Sequence, residues 1–339
     1  RDVLGSRGLG DVYKRQIMTR PLFLESVTHN PYGNLATERV LTEQARPGAP
    51  VLFLWSNTDT VVIGLHQDCR AECRVDRMRE KGIFLMRRFS GGGAVWHDLG
   101  NVNFSFCCHD ADYDVDRQTD VVLRACRKVG IDAVRTGRND LEAAGCKFSG
   151  NAYYQVPGGH CQHGTLLVHC DLSRLGEYLT VSPEKLKKHA VSSVRARVVN
   201  LADLMPGVTI PRLSAALQEA FEEEYGPAET GRFPDRERVE AYAALLRSDD
   251  WIYGRRIPAT QIWKRSFPWG SFELRLVVRQ GLIREARVVT DMLDSRLPDV
   301  FAAALKGEPC LPERMVKAAR KAGGEDFAKD ITGLARVRD

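Results

Sequence analysis

Three consecutive glycines, Gly91 to Gly93, limit what this 339-residue chain can fold into more than any other feature. They lie between two runs with the composition of β-strands, Ile83–Met86 and Val102–Phe106. Because glycine has no side chain, the backbone there can adopt positive φ at little cost and can approach another group closely. Successive N–H groups in such a turn can form a nest that binds an anion. The sequence therefore predicts an anion-binding glycine loop between two strands.

Charged residues flank the glycine loop on both sides. Arg87 and Arg88 precede it, and a guanidinium can bind a phosphate or a carboxylate through two parallel hydrogen bonds. His97 and Asp98 follow it. The segment lacks the Gly-Lys-Ser/Thr of a P-loop and the G-x-G-x-x-G spacing of a dinucleotide-binding turn. These residues favour a ligand with an acidic head, such as a nucleotide phosphate or an acyl carboxylate.

Three further segments carry residue types that suit such a ligand. Arg138–Leu141 contains Asp140, and a carboxylate near phosphates usually contacts Mg²⁺. Lys147–Tyr153 opens with Lys147, whose compact ammonium could stabilise the charge that develops between a carboxylate and a phosphate. His163–Leu167 places a histidine beside a glycine. Each segment taken alone is equally compatible with a polar turn, a solvated lysine or a structural histidine.

No pattern in the chain identifies a covalent nucleophile. No serine lies in a G-x-S-x-G turn, and the sequence dictates no cysteine–histidine pair. Cys146, beside Lys147, is the thiol of greatest interest, although an ordinary reduced cysteine is the simpler interpretation. Positioning and charge stabilisation, rather than covalent catalysis, are therefore the chemistry to expect.

Length and composition set broad limits on the protein. The chain is long enough for two domains, and 43% hydrophobic with 27% charged residues is typical of soluble globular proteins. A net charge of +5 without a basic run argues weakly against nucleic acid. No apolar run approaches the ~20 residues that span a bilayer. Nine scattered cysteines suit reduced thiols in a cytoplasm, with a zinc site from Cys69, Cys73 and a histidine as an alternative.

Hydrophobic patterning predicts an α+β fold with a mixed sheet and a domain boundary near residue 250. We divide the chain into a leader (1–17), a catalytic domain (18–249) and a C-terminal accessory domain (250–339). The leader shows no periodicity and precedes Met18, so we interpret it as a non-native or disordered segment.

The same patterning predicts individual helices and strands. Helices are predicted over 34–45, 69–81, 115–129, 172–179, 183–189, 211–225 and 235–246. Strands are predicted over 51–55 and 60–64, which residues 57–59 would join as a hairpin, and over 147–154 and 165–169. Beyond residue 250, two strands are expected to flank Gln280-Gly281, followed by helices with a break at Gly323-Gly324.

Taken together, the four motif segments resemble the lipoate–protein ligases. The motifs are Arg-Arg-x-Ser-Gly-Gly-Gly-Ala-Val-x-His-Asp-x-Gly-Asn at 87–101, Arg-Asn-Asp-Leu at 138–141, Lys-x-Ser-Gly-x-Ala-Tyr at 147–153 and His-Gly-Thr-Leu-Leu at 163–167. Their order and approximate spacing match the family, and the resemblance begins near Pro21 and weakens after about Tyr225. It implies a mixed β-sheet catalytic domain of the biotin/lipoate ligase type, plus a small α+β accessory domain.

The resemblance implies an ATP-dependent activity in two steps. Lipoate, ATP and Mg²⁺ would give lipoyl-AMP and pyrophosphate, and the acyl group would then pass to a lysine of an apo lipoyl domain. The acceptors would be the E2 subunits of 2-oxoacid dehydrogenases and the glycine cleavage H protein. The protein would act as a monomer in the cytoplasm, with neither nucleic acid nor membrane as a partner. Adenylation supplies the leaving group, which explains why no nucleophile is visible.

The resemblance also implies roles for individual residues. Lys147 would be the catalytic residue, bridging the lipoyl carboxyl group and the α-phosphate. ATP would be bound by Arg88, Gly93, Ala94, Val95, Trp96, Asn139, Asp140 and Lys147, with Asp140 also contacting the metal. Lipoate would be bound by Leu35, Glu38, Ser90, Gly91, Gly92, His97, Lys147 and His163. Residues 176–194 resemble the loop that closes over the adenylate.

Three departures from the family pattern leave the choice between lipoate and octanoate open. Phe89 is larger than the usual serine or threonine, Trp96 replaces a smaller aromatic residue, and the stretch from Asp140 to Lys147 is short. The main alternative is a lipoyl- or octanoyltransferase of the same fold that uses a pre-activated donor. A non-catalytic acyl or nucleotide sensor is a second alternative. A biotin ligase is disfavoured because the chain has no Gly-Arg-Gly-Arg-type loop.

Overall fold

The computed structural model describes residues 20–180, 198–254 and 256–335. Helices and strands are numbered below over these residues. The predicted leader and the predicted helix over 183–189 lie outside the described residues, as does most of the segment 176–194.

Strands and helices alternate irregularly along the chain. The strands are β1 Leu22–Glu25, β2 Val51–Trp55, β3 Thr60–Ile63, β4 Phe84–Arg87, β5 Val95–His97, β6 Asn101–His109, β7 Ala133–Thr136, β8 Asp140–Ala143, β9 Cys146–Val156, β10 Gly159–Leu167, β11 Glu229–Thr230, β12 Gln261–Phe267, β13 Gly270–Arg279 and β14 Leu282–Thr290. The α-helices are α1 Pro31–Glu43, α2 Cys69–Glu72, α3 Val75–Glu80, α4 Val115–Lys128, α5 Leu175–Tyr178, α6 Leu201–Leu204, α7 Ile210–Tyr225, α8 Arg236–Arg247, α9 Asp249–Tyr253, α10 Leu297–Leu305 and α11 Pro312–Ala335. This order confirms the predicted α+β class.

An eight-stranded mixed sheet forms the centre of the larger part, in the order β11-β1-β2-β6-β10-β9-β8-β7. Side chains of β2 alternate between its two faces. Leu52 and Leu54 pack with helices α4 and α7 on one face, whereas Val51, Phe53 and Trp55 pack with α1 and α8 on the other. Because both faces are covered, β2 is a continuous apolar run that is buried throughout.

A second, three-stranded sheet carries the glycine loop, in the order β4-β3-β5. The predicted hairpin of the strands over 51–55 and 60–64 is wrong, because β2 pairs with β1 and β6 while β3 pairs with β4 and β5. Both strands are buried apolar runs, so their sequences contain no alternation that would assign them to different sheets. The glycine loop joins β4 to the short strand β5, which the patterning did not predict.

Several helix predictions are confirmed to within a few residues, including those over 34–45, 115–129, 211–225 and 235–246. The predicted helix over 69–81 is divided, because Cys73 adopts an extended conformation and forms a β-bridge with Leu179. The predicted helix over 172–179 is reduced to α5, and the strand predicted over 165–169 begins earlier and ends at Leu167.

The C-terminal part has its own sheet, a meander in the order β12-β13-β14. The predicted hairpin at Gln280-Gly281 is confirmed, and both residues have positive φ. Helix α11 contains the predicted break, since Gly324 has φ of 78°. Strand β12 was not predicted. The apolar cluster under this sheet draws only on residues from Trp263 onward, whereas the exact domain boundary remains a prediction.

Close packing of two loops leads to a prediction about Gly64. An added Cβ at Gly64 would lie 2.1 Å from the backbone oxygen of Gly92. Because overpacking costs roughly 1–3 kcal/mol, Gly64→Ala should lower the free energy of unfolding by about 2 kcal/mol. Gly176→Ala is the matched control, since its added Cβ would meet no non-neighbouring atom of the described residues within 4 Å. Equal urea-unfolding curves for the two variants would contradict this packing.

Candidate active site

Two cavities meet beside the glycine loop. The inner cavity, of about 210 Å³, is lined by Leu35, Trp55, Val62, Met86, Arg88, Gly92, Gly93, Ala94, Val95, His97, Asn103, Asn139, Lys147, Gly150, Asn151, Ala152, His163, Gly164, Thr165 and Leu293. The outer cavity, of about 740 Å³, is lined by Ala94, Val95, Trp96, Asp140, Glu142, Gly145, Lys147, Gly150, Thr165, Leu167, Cys170, Leu172, Leu175 and Val198. Lys147 lines both cavities and therefore lies at their boundary.

The inner cavity combines an apolar wall with a few polar groups. Leu35, Trp55 and Met86 contribute to the apolar wall, and His97 and His163 are among the polar groups. This composition is typical of sites for small organic ligands, in which a few polar groups set the orientation.

The structure brings most of the predicted site residues to the cavities. Predicted lipoate-binding residues that line the inner cavity are Leu35, Gly92, His97, Lys147 and His163, whereas Glu38, Ser90 and Gly91 are buried behind its wall. Predicted ATP-binding residues divide between the cavities: Arg88, Gly93 and Asn139 line the inner one, Trp96 and Asp140 the outer one, and Ala94, Val95 and Lys147 both. The roles assigned to these residues remain predictions.

An ion pair fixes the ammonium of Lys147 at the boundary. Its Nζ lies 2.7 Å from Oδ1 of Asp140, and each side chain is about one-third exposed. Lys147 is on β9, directly opposite Glu142 on the neighbouring strand β8. Asp140 and Glu142 are two positions apart on β8, so both point to the same side and line the outer cavity. Among the described residues, the outer cavity therefore has one cation, Lys147, close to two carboxylates.

Two asparagines hold the start of β8 against β9. Asn139 donates from Nδ2 to the backbone oxygen of Asn151 (3.0 Å), and Asn151 donates from Nδ2 to that of Asn139 (3.1 Å). The backbone N–H of Asn151 also donates to Asn139 (2.7 Å). These bonds keep Asp140 next to Lys147, so Asn139 has a structural contribution whatever ligand it contacts.

Arg88 shapes the glycine loop from inside. Its guanidinium donates to the Oγ of Ser90 (2.9 Å) and to the backbone oxygens of Gly91 (2.6 Å) and Gly93 (2.8 Å). Burial lowers the pKa of Arg88 to about 10, which leaves it charged at neutral pH. A further bond from Nη1 reaches the backbone oxygen of Val62 on β3 (3.3 Å), so Arg88 ties the glycine loop to the neighbouring strand, and its predicted contact with a nucleotide stays a prediction.

Arg87 lies on the opposite side of β4 and lines neither cavity. Its guanidinium donates to backbone oxygens in two places: Gly64, Leu65 and Gln67 in the loop after β3, and Trp251 and Ile252 in α9. Burial lowers the pKa of Arg87 to about 10. Arg87 therefore links the frame of the site to helix α9 and is not an anion-binding residue in this arrangement.

The accessory part reaches the glycine loop through its backbone. The N–H of Gly92 donates to the backbone oxygen of Met292 (2.9 Å), and the side chain of Leu293 lines the inner cavity. An added Cβ at Gly91 would lie 2.2 Å from the oxygen of Met292. His66, in the loop after β3, contacts the same segment of the accessory part, since its Nε2 lies 2.7 Å from the backbone oxygen of Ser295. One N–H of the predicted anion-binding nest, that of Gly92, therefore already donates to the backbone of the accessory part.

His97 is a neutral imidazole in the wall of the inner cavity. Its Nδ1 lies 3.3 Å from Nδ2 of Asn57, and its Nε2 has no hydrogen-bond partner among the described residues. Burial, with a further contribution from the charge of Arg88, lowers the pKa of His97 to about 3. The amide of Asn57 donates to Nδ1, so Nε2 carries the proton and is a donor for a ligand.

Comparison with known proteins agrees with this geometry. A family model of the lipoyl protein ligase A/B catalytic domain matches residues 30–222, and a model of the bacterial lipoate protein ligase C-terminus matches residues 260–333. The chain belongs to the lipoate–protein ligase family. Among its relatives, lipoate-protein ligase A of Psychrobacter cryohalolentis is 39% identical over 293 residues, which are 83% of this chain and 86% of that one.

Solved structures extend the likeness to the whole fold of the lipoate–protein ligases. The crystal structure of Plasmodium falciparum LipL1 in complex with lipoate has a TM-score of 0.81 at 26% identity, covering 92% of this chain and 98% of that one. A lipoate-protein ligase A bound with ATP has a TM-score of 0.58 at 29% identity, covering 69% and 98%. These similarities confirm the predicted family and fold class and the prediction that the protein is an enzyme.

Some cavity residues were not found by sequence reasoning. Asn151 and Thr165 lie inside motifs that were recognised, so their positions on the strands could have identified them. Trp55 ends an apolar strand and looks like any core residue. Leu293 comes from the accessory part, and no local pattern connects it to the glycine loop.

Within the described ranges, no helix is long and apolar enough to cross a bilayer.

The backbone contact of the accessory part leads to a second prediction. Gly91→Ala should displace Met292, because the added Cβ would overlap with its backbone oxygen. Amide hydrogen exchange at Gly92 and around residues 290–295 should then become faster by roughly tenfold or more, as expected when about 1.4 kcal/mol of local stability is lost. Gly93→Ala has open space for its Cβ and is the control. Unchanged exchange in Gly91→Ala would rule out the contact.

The lowered pKa of His97 predicts a pH-dependent stability. An unfolded histidine binds a proton below about pH 6.5, whereas folded His97 does so only near pH 3, so stability falls as the pH decreases between these values. From about pH 7 to pH 5, the wild type should lose about 2 kcal/mol more than His97→Gln. Urea unfolding at both pH values tests this, and parallel losses would show that His97 titrates normally.

Proposed function

We propose that this chain is an ATP-dependent ligase that converts lipoate to lipoyl-AMP with release of pyrophosphate, and then transfers the lipoyl group to a lysine of a lipoyl domain. The observation that carries the proposal is the position of Lys147 between the inner and outer cavities. A carboxylate in one cavity and a phosphate in the other would meet at its ammonium.

Lys147 is suited to stabilise charge in both steps. A carboxylate is a poor acyl donor, so attack of its oxygen on the α-phosphate of ATP is needed to create a leaving group. Negative charge then builds up between the two groups, where a fixed cation contributes more than it would in water. Asp140 holds the ammonium in place before a substrate arrives, which reduces the reorganisation needed during the reaction.

We assign the nucleotide to the outer cavity. Trp96 is stacked on Tyr178, with ring centroids 5.4 Å apart, and Leu172 and Leu175 also line this cavity. The carboxylates of Asp140 and Glu142 fit Mg²⁺, which prefers such oxygens. Mg²⁺ held there would neutralise charge on the phosphates. The similarity to a lipoate-protein ligase A bound with ATP supports this assignment.

We assign the lipoyl chain to the inner cavity, where the apolar wall would contact the hydrocarbon and Nε2 of His97 would donate a hydrogen bond. The similarity to LipL1 in complex with lipoate supports this assignment. Leu293 would contact the ligand from the accessory part.

The proposal extends to the acceptors and to the setting of the reaction. Apo lipoyl domains of 2-oxoacid dehydrogenase E2 subunits and the glycine cleavage H protein would be the acceptors. We further propose that the protein acts as a monomer in the cytoplasm, and that residues 18–249 and 250–339 are the catalytic and accessory domains. The scattered spacing of the nine cysteines along the sequence supports a reducing compartment.

The experiment that tests the proposal measures pyrophosphate release from Mg·ATP and (R)-lipoate, together with the mass of an apo lipoyl domain. Lys147→Ala should reduce the rate by roughly 10²–10³-fold, as does removal of one preorganised donor elsewhere. Lys128→Ala is the matched control, because Lys128 pairs with Glu219 and Glu223 away from both cavities.

Two outcomes would contradict this proposal. Near-normal turnover by Lys147→Ala would remove the lysine from the mechanism. A wild-type protein that releases no pyrophosphate, yet modifies the acceptor from supplied lipoyl-AMP or octanoyl carrier protein, would be a transferase that uses a pre-activated donor.

A further inference from the structure

A continuous line of hydrogen bonds runs behind the inner cavity and ends at the glycine loop. Trp55 donates from Nε1 to the Oγ of Ser105 (2.8 Å), and Ser105 donates to Oε2 of Glu38 (2.5 Å). The same oxygen of Glu38 lies 2.9 Å from Nδ1 of His163, and Nε2 of His163 lies 2.8 Å from the Oγ of Ser90. The line therefore joins helix α1 and strand β6 to the loop.

The donors and acceptors along this line determine where each proton lies. The indole of Trp55 can only donate, so the hydroxyl of Ser105 must direct its own proton to Glu38. At the other end, Nε of Arg88 can only donate and lies 2.9 Å from the Oγ of Ser90. Because the carboxylate of Glu38 can only accept, a neutral His163 must donate to it from Nδ1, and its Nε2 then accepts from the hydroxyl of Ser90.

The hydrogen bonds that start at Trp55 and at Arg88 thus meet at one atom, Oε2 of Glu38, which accepts from both Ser105 and His163. Glu38 is fully buried, as are Ser90 and Ser105, so water cannot substitute for a missing partner. A second proton on His163 would place a positive charge beside the guanidinium of Arg88 and would turn the hydroxyl of Ser90 away from the ring. A neutral ring in this arrangement carries its proton on Nδ1.

The line ends on the residue that shapes the loop. Besides Ser90, Arg88 donates to the backbone oxygens of Gly91 and Gly93. If Ser90 lost its acceptor on His163, its hydroxyl could turn toward the backbone oxygen of Gly91 (3.5 Å), and the guanidinium would be held only by the loop carbonyl groups and the oxygen of Val62 (3.3 Å). Rotation of the guanidinium would move the carbonyl groups that it holds.

Glu38, Cys161 and His163 also have potential metal ligands within 4.8 Å of one another. Both ring nitrogens of His163 are already hydrogen-bonded, as is Oε2 of Glu38. A metal at this position would have to break the line, so we do not assign one. The Cys69–Cys73 pair is not part of this group, which is the one that the described residues form.

We propose that Glu38 is a positioning residue, which acts through His163, Ser90 and Arg88 to fix the shape of the glycine loop for adenylate formation. The inference rests on the proposed function for its kinetic consequences, but the hydrogen-bond order itself does not require any substrate. Glu38 and Ser90 lie behind the wall of the inner cavity and contact the loop or its supports, and the lipoate contacts predicted for them stay predictions.

The first test is a measurement of the His163 tautomer by ¹⁵N NMR in the substrate-free, full-length protein. His163→Gln identifies the signals of this ring among the eight histidines. We expect a protonated Nδ1 and an unprotonated Nε2 near neutral pH. An Nε2–H tautomer or an imidazolium would overturn the proposal. Because no turnover is involved, this result stands whether or not the proposed function is correct.

The second test compares three variants on helix α1 by their kcat/KM for pyrophosphate release. Glu38→Met removes the acceptor at similar size and should cost roughly 10- to 100-fold, the value of a buried hydrogen bond to a charged group. Glu38→Gln keeps an acceptor oxygen and should retain at least tenfold more activity than Glu38→Met. Glu43→Met removes a carboxylate from the same helix that pairs with Arg39 and Arg238, and should leave kcat/KM unchanged.

A double-mutant cycle separates the hydrogen-bond line from a general effect on folding. Glu38→Met and Ser90→Ala interrupt the same line, so their combination should lose no more activity than the worse single variant. Independent losses that multiply would overturn the proposal, as would equal activities of Glu38→Met and Glu38→Gln. A wild-type protein without pyrophosphate release would refute the proposed function instead, and the His163 tautomer would then decide on Glu38 alone.

Discussion

The guanidinium of Arg88 is buried, and it donates to the glycine loop that follows it and to the backbone oxygen of Val62 on β3. A buried charge is costly unless its donors are satisfied, so the loop carbonyl groups of Gly91 and Gly93 must face inward. The loop closes because its own backbone ligates a charge, and a loop of larger residues could not follow this path beside Gly64 and the accessory part. Residues of this loop line both cavities.

Adjacent positions on a strand explain why two similar arginines act on different parts of the molecule. Arg87 is the last residue of β4 and Arg88 follows it directly, so their side chains point to opposite sides. Arg88 organises the loop, whereas Arg87 joins the loop after β3 to helix α9, and the indole of Trp251 donates back to the oxygen of Arg87 (2.9 Å). The region between the catalytic and accessory parts is thereby attached to the same strand as the glycine loop. Phe89 packs against Trp251, with ring centroids 5.2 Å apart, and extends this connection.

Sequence reasoning succeeded where the signal is local. The glycine loop, the helix over 115–129 and the turn at Gln280-Gly281 follow from residue types within a few positions of one another. It failed where the deciding partner is remote: the pairing of β3 with β4 is invisible in two apolar runs, and Cys73 is extended because it meets Leu179. The same limit applies to Arg87, whose charge suggests a ligand while the structure supplies backbone oxygens.

The contact between the glycine loop and the accessory part is made by backbone atoms on both sides. Gly92 offers an N–H and Met292 offers a carbonyl oxygen, and the side chain of Met292 is not needed for this bond. The contact therefore restricts the residue type at Gly91 but not, through this hydrogen bond, at residue 292. The hydrogen bond itself does not depend on which side chain residue 292 carries, whereas position 91 cannot gain even one carbon atom. The backbone position of residues 292–293 is therefore restricted by the lack of side chains at Gly91 and Gly92. The sequence of the accessory part alone does not reveal this restriction.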